Sequence, residues 1–111
     1  MIVREWRGWA SPAKSEIYPE HFRRQVLPEL NSIAGFLGAS LLQREDGAEI
    51  EFVVLTLWAS MAAIASFAGQ ALDRAVVEPQ AAAALLHFDS MVRHYRVLEE
   101  VGEARPSALL Q

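Results

Sequence analysis

The chain has 111 residues, 52% of them apolar and 22% charged, with 10 basic against 14 acidic side chains. That is the length of one domain with enough apolar material for a packed core, which excludes an intrinsically disordered chain. The net charge of −4 excludes a general attraction for nucleic acid or anionic membranes, and the lack of cysteine excludes disulfide scaffolds, thiolate metal sites and cysteine nucleophiles.

Met1 to Trp6 lacks the basic-then-apolar layout of a secretory signal. No uncharged apolar run approaches the ~20 residues that span a bilayer. A cytoplasmic location is therefore expected. Ile2 to Arg7 alternates Ile2/Arg4/Trp6 against Val3/Glu5/Arg7 and reads as a strand closed by Gly8. Ser11-Pro12 signals a helix start, and Tyr18, Phe22, Val26 and Leu30 then recur every four residues as one helical stripe. Pro19 and Pro28 are expected to kink or restart that helix, and Gly35 to end the segment.

Phe36–Arg44 and Ile50–Trp58 flank Glu45-Asp46-Gly47-Ala48, a turn sequence that predicts an antiparallel hairpin. Its second arm is almost continuously apolar, as in strands covered on both faces. Ser60 is the expected N-cap of a helix over Met61 to Ala68, with Gly69 as its stop. A turn-like piece, Gln70 to Val77, leads to a second helix from Pro79 through four alanines, and Met91 to Leu98 alternates as a last strand.

Strand, helix, strand, strand, broken helix, strand predicts an α+β, ferredoxin-like βαββαβ fold, with helices on one face of a four-stranded antiparallel sheet. Residues 1–98 form this domain, and 99–111 are expected to be a tail, loose or docked on a partner subunit. The helices leave roughly 400 Å² of sheet uncovered. Phe52/Val54 and Val53/Leu55/Leu57 fall on opposite faces, as do Phe36/Leu42 and Leu37/Ala39/Leu41. The uncovered face is thus expected to be apolar and to pack on a second copy about a two-fold axis.

The motifs Ile2-x-Arg4-x-Trp6-x-Gly8, Gly35-Phe36-x-Gly38-Ala39, Leu55-Thr56-Leu57-Trp58-x-Ser60, Ala63-Ile64-x-x-Phe67-Ala68-Gly69 and His94-Tyr95-x-Val97 occur in order. In this the chain resembles the antibiotic-biosynthesis-monooxygenase family of dimeric α/β-barrel proteins. The resemblance implies a ligand pocket between sheet and helices, walled partly by a tryptophan at the place of Trp58. It also implies either cofactor-independent oxidation of aromatic or quinol-type substrates with O₂, or haem degradation. The family's accompanying asparagine is absent, since Asn31 is the only one in the chain and lies at a helix end. The histidine of haem-degrading relatives is replaced in Leu72-Asp73-Arg74-Ala75-Val76 by valine.

Residue chemistry supplies the candidate site. Arg4, charged in mid-strand, is expected either to pair with a carboxylate, such as Glu51 or one across the dimer, or to clamp a phenolate or enolate oxygen. Trp58 is either core or a wall that stacks on a flat substrate, with Trp6, Phe67 and Tyr18 beside it. His94 is either a hydrogen-bonded structural residue or the base that deprotonates a phenol, and cannot share a pocket with Tyr95 on the other face of its strand. His21 flanks the helical stripe, either at a pocket mouth, where it is the alternative base to His94, or in solvent. His87 is expected beside a helix C-terminus. Neither a metal nor a cofactor is expected, because the histidines lack ligand spacing and no phosphate loop or nucleophile signature occurs. The leading expectation is a cofactor-independent oxygenase; a non-catalytic dimer that binds a small apolar molecule is the alternative.

Overall fold

In the computed structural model, which describes residues 1–102, strand β1 (Ile2–Ala10) is the hub. It continues past Gly8, because the chain needs no turn until Ser11 and Gly8 fills a place where no side chain fits. An added Cβ there would lie 2.8 Å from the Trp6 indole and 3.0 Å from Leu85. β1 pairs antiparallel with β3 (Glu49–Trp58), which pairs antiparallel with β2 (Phe36–Asp46). Along its other edge β1 pairs with two short pieces, β4 (His87–Phe88) and β5 (Arg93–Arg96). This is the expected ferredoxin-like order, with the last strand split.

The split is a bulge. Phe88 faces Gly8 and Arg93 faces Glu5, so the four residues Asp89 to Val92 lie opposite only Trp6 and Arg7. Simple alternation from Met91 to Leu98 does not reveal such an interruption. A second bulge sits at Leu37, between the pairs Phe36–Trp58 and Gly38–Leu57. It corrects the expected faces of β2. Phe36, Ala39 and Leu41 look toward the helices, while Gly38, Ser40, Leu42 and Arg44 look the other way.

The stripe residues build the long helix between β1 and β2. It runs as α1 (Ile17–His21), a π-helical turn (Phe22–Val26) and α2 (Leu27–Asn31), with helical dihedrals maintained at both joints. Pro19 lies in the first turn, where its missing N–H costs nothing. Pro28 lacks an N–H for the Arg24 carbonyl and would crowd it, and the wider π turn just before it accommodates that clash. Tyr18, Phe22 and Leu30 are buried as the periodicity requires. Helix α3 (Met61–Ala68) is capped by Ser60, whose hydroxyl accepts from the Ala63 N–H, and α4 (Pro79–Ala84) starts at its proline. No described helix is long and apolar enough to cross a membrane. Of the expected tail, residues 103–111 lie outside the described residues.

Two apolar clusters fill the space between sheet and helices. One gathers Trp6, Tyr18, Phe22, Phe52 and Val54; the other Leu30, Trp58, Ala63 and Ile64. Between α2 and β2, Gly35 takes φ +91° and its carbonyl accepts from Ala59 N–H at 2.8 Å. A Cβ at Gly35 would stand 2.6 Å from the Ala63 Cβ. Gly35→Ala is therefore expected to cost about 2–3 kcal/mol, combining left-handed backbone strain with overpacking of α3. Urea denaturation checks this.

Candidate functional site

The alternation of β1 sends Arg4, Trp6, Gly8 and Ala10 to the helix side, opposite Thr56, Val54, Phe52 and Ile50 of β3. The segment 70–77, which follows α3 after Gly69, crosses over Arg4 as a strap. Beneath it lies a cavity of about 50 Å³, room for little more than one water. Arg4, Trp6, Val54 and Thr56 form its floor; Val26, Leu30, Phe67, Val76 and Val92 form its walls.

Among the described residues Arg4 is the one charged group lining this cavity, and it is 5% exposed. Its NH1 donates to the Leu72 carbonyl at 2.7 Å and its NH2 to the Arg74 carbonyl at 2.8 Å. NH1 also lies 2.9 Å from His94 Nε2. The guanidinium carbon stands 5.8 Å from the Phe67 ring centre, within cation–π range. Among the described residues Arg4 forms no ion pair. The expected bond to Glu51 is corrected by strand parity: Glu51 lies on the opposite sheet face, where Arg44 holds it at 2.7 Å and Arg7 at 3.4 Å.

A guanidinium only donates, so His94 Nε2 is the acceptor and the imidazole proton sits on Nδ1. Nδ1 lies 3.3 Å from Asp73 Oδ1 on the strap. Burial, together with the charge of Arg4, holds the His94 imidazolium below the ordinary histidine value, against an opposing pull from Asp73. Burial likewise lowers the Arg4 value while Asp73 raises it, and the group remains charged at neutral pH.

Of the residues singled out from the sequence, Arg4, Trp6 and Phe67 meet at the cavity. Trp6 is held by its indole N–H, which donates to the Asp89 carbonyl in the bulge at 2.8 Å. His94 touches Arg4 and lies outside the cavity lining. Trp58, fully buried, stands one layer back: its indole donates to Thr56 Oγ1 at 2.8 Å, and its ring is 5.9 Å from Phe67 and 5.4 Å from Phe36. Tyr18 lies behind Trp6, 5.5 Å from it and 5.5 Å from Phe52, where burial pushes its phenol well above the ordinary value. His21 is buried beyond Tyr18, with 6.2 Å between ring centres. Tyr95 does face away from His94, on the side of Val3. His87 is corrected from a helix end to β4, where it stacks on Trp9 at 4.5 Å and bonds Glu49 at 2.7 Å.

Sequence reasoning missed Thr56, Asp73 and the strap carbonyls. Thr56 carried a signal, being the one hydroxyl between Phe52 and Trp58. A charged residue in a turn-rich segment carries none, and backbone carbonyls are invisible in composition. No cluster of three His, Cys, Asp or Glu suited to a metal occurs among the described residues. The cavity lining also offers no histidine, cysteine, methionine or tyrosine to haem iron.

A family profile described as antibiotic biosynthesis monooxygenase matches residues 1–79. No curated protein sequence matches the chain significantly. Among solved structures, a Bacillus cereus protein assigned as an antibiotic biosynthesis monooxygenase superimposes with TM-score 0.65 at 18% identity, over 92% of this chain and 97% of that one. SnoaB, a cofactor-independent oxygenase from Streptomyces nogalater, gives 0.58 at 17% identity over 92% and 98%. A mutant of MhuD, with two manganese protoporphyrin IX molecules bound per active site, gives 0.61 at 22% identity over 93% and 100%.

The environment of His94 makes stability depend on pH. Its folded-state value is depressed, so the unfolded chain takes up the proton first. The contribution is fully present above the unfolded value of about 6.5 and is lost as pH falls from there through the folded value. Denaturant midpoints are expected to fall across that window in the wild type and to stay flatter in His94→Gln, which accepts from Arg4 without titrating.

Proposed function

Since the chain belongs to the antibiotic biosynthesis monooxygenase family, we propose that it oxidises a small electron-rich aromatic or quinol-type substrate with O₂ and without a cofactor. The observation that carries this reading is the Arg4 guanidinium, buried at an apolar cavity with neutral acceptors in place of a carboxylate. A substrate phenolate or enolate supplies the missing negative charge, and a dry surrounding makes that attraction stronger than in water. Trp6 and Phe67 flank the aromatic ring, while Thr56 offers a hydroxyl whose lone pair is engaged by Trp58.

The chemistry needs little more from the protein. Arg4 favours the ionised substrate, whose proton passes to solvent as it binds. The anion gives one electron to O₂, and the resulting substrate radical and superoxide combine at carbon. For an activated methylene, the peroxide then loses water across the C–H and O–O bonds. The balance is R₂CH₂ + O₂ → R₂C=O + H₂O, with the substrate as sole reductant. A cavity of about 50 Å³ is far below the ~300 Å³ of ordinary ligand sites, so the strap moves to admit substrate. Haem degradation is the less favoured reading, because Val76 and its neighbours line the cavity with aliphatic groups that cannot ligate iron.

The protein is proposed to act as a homodimer through the sheet face away from the helices. That face is a mosaic. Val3, Leu42, Val53 and Leu55 give it an apolar middle, while Glu5, Arg7, Arg44 and Glu51 form an ionic ladder across β1, β3 and β2. Apolar burial contributes about 25 cal/mol per Å², and a two-fold partner covers the patch with its own copy.

Oxygen consumption with a panel of anthrones and hydroquinones tests the activity. Turnover is expected to fall by about 10²–10³ in Arg4→Gln, the loss typical of one oxyanion donor. In Trp58→Phe, one layer behind the wall, the fall should be much smaller. Equal turnover in wild type and Arg4→Gln overturns the reading. Light scattering after size exclusion is expected to give twice the 12.3 kDa chain mass; a monomer at micromolar concentration contradicts the dimer.

A further inference from the structure

Arg4, His94 and Asp73 close a ring of contacts that ties the strap to the sheet. NH1 of Arg4 is shared between the Leu72 carbonyl and His94 Nε2, and NH2 reaches the Arg74 carbonyl. Asp73, the residue between those carbonyls, faces the other nitrogen of the same imidazole. The rest of the strap is tied to the bulge by Ala75 N–H to Ser90 O at 2.9 Å and Val92 N–H to Asp73 O at 2.8 Å. The ring is thus the strap's side-chain attachment to β1.

We infer that His94 is a positioning residue for the anion site: its neutral imidazole holds Arg4 against the strap carbonyls, and a proton taken up at Nε2 releases the strap from β1. A protonated Nε2 is a donor, and NH1 is a donor with nothing to accept it. The two cations cannot share the 2.9 Å contact. His94 is fixed by the pairing of β5 with β1, where its Cα lies opposite that of Arg4, and its Nδ1–H stays on the Asp73 carboxylate. The long arginine stem is therefore the part that yields. Among the described residues, Arg4 from β1 and Asp73 from the strap are the charged groups that face His94; Arg93 lies on the other face of β5, and Arg96, further along the same face, is exposed. The low affinity of buried His94 for a proton agrees with this arrangement.

The catalytic meaning of this inference rests on Arg4 as the anion clamp, for then the strap carbonyls hold the place that substrate oxygen must take. In this account His94 acts on substrate only through Arg4. A base at His94 would need a free lone pair on Nε2, which Arg4 occupies.

Two measurements on ligand-free protein test it, and neither depends on turnover. Nitrogen-15 NMR of the histidine rings at pH 8 is expected to find His94 protonated on Nδ1 and bare on Nε2; the opposite tautomer overturns the inference. Amide exchange at Ala75 and Val92, whose N–H groups bond across the strap edge to Ser90 and Asp73, is expected to accelerate several-fold between pH 8 and 5.5 once corrected for intrinsic rates. The acceleration should vanish in His94→Gln and shift to lower pH in Asp73→Asn, which loses the carboxylate that favours the imidazolium. An undiminished acceleration in His94→Gln, or an unshifted one in Asp73→Asn, overturns the inference. Should these hold while no quinol or anthrone is oxidised, the oxygenase reading fails and the latch stands.

Discussion

A guanidinium withdrawn from water must be compensated, and the compensation of Arg4 organises this molecule. Removing such a cation from solvent costs several kcal/mol even after relaxation. Here the cost is met by two backbone carbonyls, one imidazole nitrogen and an aromatic face. Each comes from a different place in the chain: the strap after α3, the edge strand β5, and α3 itself. The same residue therefore fixes the strap, the tautomer of His94 and the polarity of the cavity. A carboxylate partner would have made Arg4 a closed structural pair. Neutral acceptors leave its charge without a countercharge among the described residues.

Much of this architecture was legible in the chain, because it follows from periodicity. The four-residue spacing of Tyr18, Phe22, Val26 and Leu30 marked the helix, Asp46-Gly47 marked the hairpin, and alternation in Ile2–Arg7 set Arg4 and Trp6 on one side of β1. The bulges were not legible. An extra residue at Leu37 puts Phe36 and Leu42 on opposite faces, and the extra residues in Asp89–Val92 divide the last strand. Gly38 borders the first, but a lone glycine in a strand does not fix where the extra residue falls, and Asp89–Val92 contains neither glycine nor proline. The partners of Arg4 were hidden for a different reason. Two are backbone carbonyls, equally present at every residue, and the strap that carries them has no repeating pattern. Trp58 was legible as a large aromatic beside the site, but not as the layer behind Thr56.

The two faces of the sheet handle charge differently. On the helix side one cation lies in apolar surroundings with neutral partners. On the other side Glu51 is almost fully buried between Arg44 and Arg7, and Glu5 lies within 3.5 Å of Arg7 and 3.7 Å of Arg93. Opposite charges on neighbouring strands neutralise one another there, which suits a surface that gives register and specificity rather than chemistry. Strand parity produces this division: Arg4 and Arg7 lie three residues apart in β1 and fall on opposite faces.

An anion site built on Arg4 at an aromatic-walled cavity reveals itself in binding rather than in turnover. Isothermal titration would compare a naphthol-type phenol with its methyl ether as the pH is raised through the phenol's own ionisation. The phenol is expected to gain affinity as it ionises, the ether to stay indifferent to pH, and Arg4→Gln to remove the difference. Equal binding of the ionised phenol and its ether by the wild-type protein would contradict the anion site.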